Sequence, residues 1–467
     1  MKITRILPLN NILSWVSLFL VAWPTKAWAH ASEQIFIALL PTDIYISAGV
    51  IAVVLTVLAL AFVPGRVQRR LWKSRTWFTP EIHCVDKIVS LASFFFFAWL
   101  IWLGFEGPRD PLANLLPLTI WTLWWIVLFV FQAVFGDIWR GLNPWSGVVW
   151  LARGALGVEP AARLPQWLGA WPGIIAFICF GVFALADIAP EDPARLAKFV
   201  GGYWFYTFMC MLVFGEEIWA KRGECFTMIL RAFAKLSAFG KGQIGVPGWQ
   251  LVGASNMSVT IGIFVLCILA IGSFDGLNET FWWLSIWGIN PLAFPGRSAV
   301  AGYTVFGLLV SCIALCICFA VCVYLGVRLA SEPARFRTVF SQLCMSILPI
   351  ALGYHIAHFL TAFLVNGQYA IAALSDPFAQ GDDYLGISPF YVTTGFFNTR
   401  DMVEVIWLAQ AGAVVLGHML SILVAHGIAL RIFETDRKAL LSQIPIAIFM
   451  IAYTLFGLWL LAAPRGA

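Results

Sequence analysis

Long stretches in which almost every side chain is apolar recur from one end of the chain to the other, and they constrain the fold more than any other feature. A helix crossing a bilayer needs about 20 such residues, and it must satisfy its own backbone polar groups because lipid offers no partners. Runs of this kind fall at 44–63, 84–105, 115–135, 172–188, 200–219, 257–274, 299–327, 339–366, 402–430 and 443–463. The expected fold is therefore an all-α, polytopic integral membrane helical bundle with about ten transmembrane helices. Only 11% of the 467 residues are charged, against about 25% in an ordinary soluble domain. With a mean hydropathy of +0.86, this excludes a disordered chain, a nucleic-acid binder and an ordinary cytosolic enzyme.

Ahead of the first run lies a targeting pattern. Lys2 and Arg5 precede an apolar stretch from Ile12 to Trp23, and Ala27-Trp28-Ala29 has the small-residue spacing of a cleavage site. The stretch is too short to span, so residues 1–29 read as a cleaved signal peptide. A single helical domain, 30–467, then begins at His30. Arginine and lysine placement tests the helix count. With the mature amino terminus outside, the inward-facing connections carry nineteen basic residues, among them Arg66, Arg69, Arg70, Lys221, Arg222, Arg335 and Arg437, and the outward-facing ones carry six. Excess Lys and Arg mark the cytoplasmic side, which places both mature ends outside a bacterial inner membrane. The outer loop 367–400, rich in Gly, Pro, Asp and aromatics, has the length of a functional lid.

Ten cysteines lie mostly within or beside the spans, so a disulfide framework is not expected. Four crowd into Cys312–Cys322, either as small packing residues on one helix or as a soft-metal path. Ionisable groups inside a bilayer are costly and mark function. Three of the six histidines are of this kind: His355 and His358 on one helical face, and His418 on the next span. At roughly 1.5 Å per residue they lie about 16, 12 and 24 Å deep, and tilt could bring them into one layer. Imidazoles suit Zn, Cu, Fe or Ni, so His355, His358 and His418 are candidate ligands for a divalent transition metal, Zn or Cu foremost. His30, with its free amine, is a possible further ligand. Asp275, Glu279, Asp401 and Glu404 are among the carboxylates at the outer helix ends. Glu404 stands one turn inside its span, and Asp401 suits the amino-terminal pole of its helix. No phosphate-cradling Gly-rich loop, H-E-x-x-H, G-x-S-x-G or paired C-x-x-C occurs.

Gly353-Tyr354-His355-Ile356-Ala357-His358-Phe359, Asn366-Gly367-Gln368, Ser375-Asp376-Pro377-Phe378, Val405-Ile406-Trp407 and Gly417-His418 resemble the bacterial membrane-protein family named fenitrothion hydrolase. Phe135-Gly136-Asp137-Ile138-Trp139 and Phe274-Asp275-Gly276-Leu277 resemble it as well, and the likeness runs over most of the mature chain. It implies hydrolysis of apolar organophosphorus triesters at the membrane. In that setting a metal held by the three histidines would supply hydroxide to phosphorus, with Glu404 or Asp401 orienting the water. The substrate would be an apolar small molecule reaching the site from the surrounding lipid. Two other classes stay open on the residues alone: a copper permease using His30, the histidine cluster and the Cys312–Cys322 helix, and a haem b protein with His355 and His418 as axial ligands.

Overall fold

The computed structural model describes residues 36–77, 83–157, 159–255, 257–293 and 295–465. Residues 1–29, expected to be a signal peptide, and His30 lie outside the described residues. The chain is an all-α helical bundle with almost no strand. Ten helices correspond to the ten apolar runs: α1 (Thr42–Phe62), α2 (His83–Glu106), α3 (Leu115–Phe135), α4 (Trp171–Ala186), α5 (Pro193–Phe214), α6 (Val259–Asn278), α7 (Arg297–Leu329), α8 (Leu348–Ser375), α9 (Arg400–Ile432) and α10 (Asp436–Ala462). Among the described residues, nine of these are long and apolar enough to cross a membrane, and α4 at 16 residues is shorter. This is a multi-pass membrane protein.

The helices divide by burial. Two-thirds of the most apolar window of α6 and of α9 is buried, against 11% of α1. α6 and α9 therefore form the middle of the bundle, and α1, α2, α5 and α7 present apolar side chains outward. α8 and α9 pack backbone to backbone. A side chain on Gly353 would run into the Ala413 carbonyl, and one on Gly417 into the Pro349 carbonyl. Small residues at such crossings let helices approach where lipid gives no hydrophobic drive to associate.

Three features depart from the simple reading of spans and loops. The predicted connection after residue 219 folds back into the bundle as a buried helix, Cys225–Ala234. Its first amides are capped by the buried Glu224 carboxylate, which accepts from Phe226 N at 2.9 Å and from Thr227 N at 2.5 Å. The span predicted to end at 366 continues helically to Ser375. The loop beyond it does not cover the bundle's cavity: it turns on Asp383, which accepts from Ser375 Oγ and the amides of Ile387 and Ser388, and it rests Phe378 against Trp102 of α2. Finally, α3 is wound as a π-helix over Leu118–Leu128, a winding that is rare and concentrated at functional sites.

At the end of the bundle rich in arginine and lysine, ion pairs tie distant segments together. Lys87 meets Glu216 at 2.7 Å and Arg69 meets Asp436 at 2.6 Å. The opposite end, where α6 stops and α7 begins, opens into a cavity.

Candidate functional site

The cavity is about 540 Å³ and is bounded by α3, α4, α6 and α8. Its floor and one wall are aromatic, with Trp121 and Trp125 from the π-wound turn of α3 and Phe177 and Phe180 from α4. Its mouth is charged and is ringed by Glu191, Asp275, Glu279, Arg297 and Arg465.

Asp275 occupies the last turn of α6, where the helix dipole presents its negative pole and a carboxylate is unfavourable on its own. The compensation comes from α8. His358 Nε2 is 3.0 Å from Asp275 Oδ2, and the imidazole side chain is only 9% exposed against 20% for the carboxylate. Both side chains line the cavity, and the carboxylate is the more exposed of the two. His358 Nδ1 has no partner, and neither has the hydroxyl of Tyr354, whose ring stacks 5.7 Å from that of His358. Both atoms crowd Gly276, and any larger residue there would collide with the Tyr354 hydroxyl. Buried polar groups left unpaired are uncommon and call for an explanation such as catalysis or an ordered water.

The remaining charges hold the mouth in shape. Arg465 reaches Glu279 at 3.9 Å and donates to the Leu460 carbonyl at 3.0 Å. Arg297 donates to the Ala184 carbonyl. Asp187 is gripped through both oxygens by Arg195 at 2.7 Å, and that guanidinium holds its carboxyl below the usual range.

The structure does not gather the predicted ligands onto one ion. His355 lines the cavity, but its Nε2 is engaged 2.9 Å from the Trp125 carbonyl in the π-wound turn, and its ring lies against Phe129. His358 is committed to Asp275. His418 faces away from the cavity, its Nδ1 held at 2.9 Å by the carbonyl of Val414 one turn back in its own helix. Among the described residues no three His, Cys, Asp or Glu side chains are placed to hold a metal. Among the described residues the three-histidine donor set expected for a metal is therefore not assembled, and each ring has an acceptor of its own. Glu404 accepts the Tyr45 hydroxyl at 2.7 Å and fastens α9 to α1, and Asp401 is exposed at the start of α9. Neither lines the cavity. The four thiols fall into two pairs on α7: Cys312 and Cys316 both meet Cys267 of α6, and Cys318 and Cys322 meet each other.

Comparison with family models, with curated proteins and with solved structures finds no match for this chain. The site is defined by its own geometry. Asp275 was visible in the sequence only as one of several carboxylates at helix ends. Its position at the carboxy-terminal pole of a helix, one residue beyond the run 257–274, is the one signal that could have set it apart. Tyr354, Arg297 and Arg465 gave no comparable signal.

Proposed function

We propose that the protein is a membrane-embedded hydrolase of neutral, apolar esters of the organophosphorus triester class, with Asp275 as the general base. The observation that carries this reading is a single cavity in which a carboxylate backed by an imidazole faces aromatic walls beneath two guanidinium groups. The sequence resemblance supports the same substrate class. An aryl triester fits the division of the walls: its ring against Trp121, Trp125 and Phe180, its phosphorus toward Asp275. A water beside Asp275 gives one proton to the carboxylate as its oxygen bonds to phosphorus. The P–OAr bond breaks with its electron pair on the aryl oxygen, and a nitrophenolate leaves without an acid. The phosphorus product loses its remaining proton to solvent and departs as an anion. His358, donating from Nε2, fixes the carboxylate's direction and shares its charge. Arg465 and Arg297 supply positive potential where negative charge develops, which counts for more in a water-poor cavity than in bulk. No step is routed through a metal.

The charge alternation along the chain supports a bacterial inner membrane location with the cavity mouth and both mature ends outside, where an extracytoplasmic ester would arrive.

The test is nitrophenol release from a fenitrothion-type triester by purified protein. Asp275→Asn keeps the side chain's shape and is expected to lower the rate by about 10²–10⁴-fold, the usual contribution of a positioned base. An Asn variant that folds and turns over at the parent rate removes the mechanism.

A further inference from the structure

A second cavity of about 250 Å³ lies on the other side of the aromatic wall, between α2, α3 and α5. Apart from a few polar atoms its lining is wholly apolar, and it shares Trp121 and Phe180 with the first cavity. These two rings stack with centroids 6.0 Å apart, and Trp121 also stacks with Phe183 at 6.3 Å. One layer of aromatic rings is therefore all that separates the two spaces. Phe96, in the wall on the α2 side, is 45% exposed, and α2 belongs to the outward-facing ring of helices. Thr119 also lines this cavity, but its hydroxyl is buried away from the open space and, among the described residues, has no hydrogen-bond partner.

We infer that this second cavity is a membrane-side doorway that lodges a neutral aryl compound, and that the Trp121–Phe180 pair is the partition it passes to reach Asp275. The inference rests on the hydrolase reading for its destination only. An apolar cavity of about 150 Å³ already accepts benzene, so 250 Å³ takes a substituted ring. Flat aromatic walls favour offset stacking with such a ring. Trp121 is pinned at its indole nitrogen by the Pro190 carbonyl at 3.2 Å, so it swings only when that bond opens. The charged mouth, by contrast, suits the exit of an anionic product.

The experiment is photolabelling of the full chain in nanodiscs with a small neutral aryl diazirine, with peptides mapped by mass spectrometry. Labelling is expected at Leu100 and Val200. Val200→Trp fills the cavity and should cut labelling at Leu100 at least tenfold, and Ser93→Phe is a second filling variant should the first not fold. In the hydrolysis assay Val200→Trp should slow the apolar triester at least fivefold, while a water-soluble charged nitrophenyl ester entering by the mouth is turned over at the parent rate. Labelling that spreads evenly over lipid-facing positions, or that ignores both filling variants, overturns the doorway. An acyl-chain diazirine that labels the cavity in place of the aryl probe also overturns it, since the tenant is then lipid. Site-specific labelling without nitrophenol release sinks the hydrolase reading and leaves the lodging site standing.

Discussion

His358 and His418 are both imidazoles deep in apolar helices, yet their surroundings differ in every respect that matters for chemistry. His358 faces a carboxylate on another helix beside a cavity of about 540 Å³. His418 faces its own helix's backbone, is 1% exposed, and has the ring of Tyr453 6.4 Å away. An intramembrane histidine becomes a candidate for function when it has both a charged partner and space for a reactant. Burial alone marks only its cost.

The sharpest way to break this contrast is to change each histidine in turn. His358→Gln should lower nitrophenol release by about a hundredfold through misdirection of Asp275, since displacements near 1 Å can cost that much. As a positioning residue it should also shift the pH profile of the remaining activity, which a purely structural residue would not. Equal losses on changing His418 would erase the distinction. Next in size is Gly276→Ala. The new methyl meets the Tyr354 hydroxyl, and overpacking of this kind costs about 1–3 kcal/mol, read as a lower Tm together with a slower rate. His418→Leu comes third, and its expected effect runs the other way. It removes a buried ring nitrogen that has no partner, so stability should be unchanged or slightly higher, with activity within twofold of the parent. A marked fall in Tm would mean that His418 has a role the comparison denies it.

The smallest effect concerns the loop after α8. Amide donors from Ile387 and Ser388 and the Ser375 hydroxyl hold the Asp383 carboxyl below its usual range. A carboxyl depressed in the folded state stabilises it above the unfolded value, and that contribution is lost as pH falls through the folded one. Limited proteolysis within 376–399 should therefore quicken as pH drops below the ordinary carboxylate range. Asp383→Asn should give the faster cleavage already at neutral pH, with hydrolysis unaffected because no residue of 376–399 lines the cavity.

The bundle was legible because hydrophobic run length and basic-residue placement are one-dimensional signals, and each of the ten runs became a helix. The site was only half legible. Counting residues along a helix gives position along its axis, and the span expected to carry His355 and His358 became α8. It does not give rotation about the axis, and α9 is apolar nearly all round, so nothing in its sequence said which way His418 points. Glu404 looked suggestive for the same reason, yet its side of α9 meets Tyr45 of α1. Asp275 was passed over because a carboxylate near a helix end reads as an interfacial group, and only the neighbouring α8 makes it something else.

The π winding of α3 has a consequence for how this chain tolerates change. Hydrogen bonds that skip one residue more than usual set the angular spacing of Trp121 and Trp125, one ring in the partition and the other's carbonyl clasping His355. Deleting a single residue between 118 and 128 would leave the segment just as greasy and still long enough to cross. It would nevertheless rotate everything after the cut, so that the clasp opened and the partition swung aside. Length within this one turn is thus under tighter control than chemical character, the reverse of what holds for the lipid-facing helices around it.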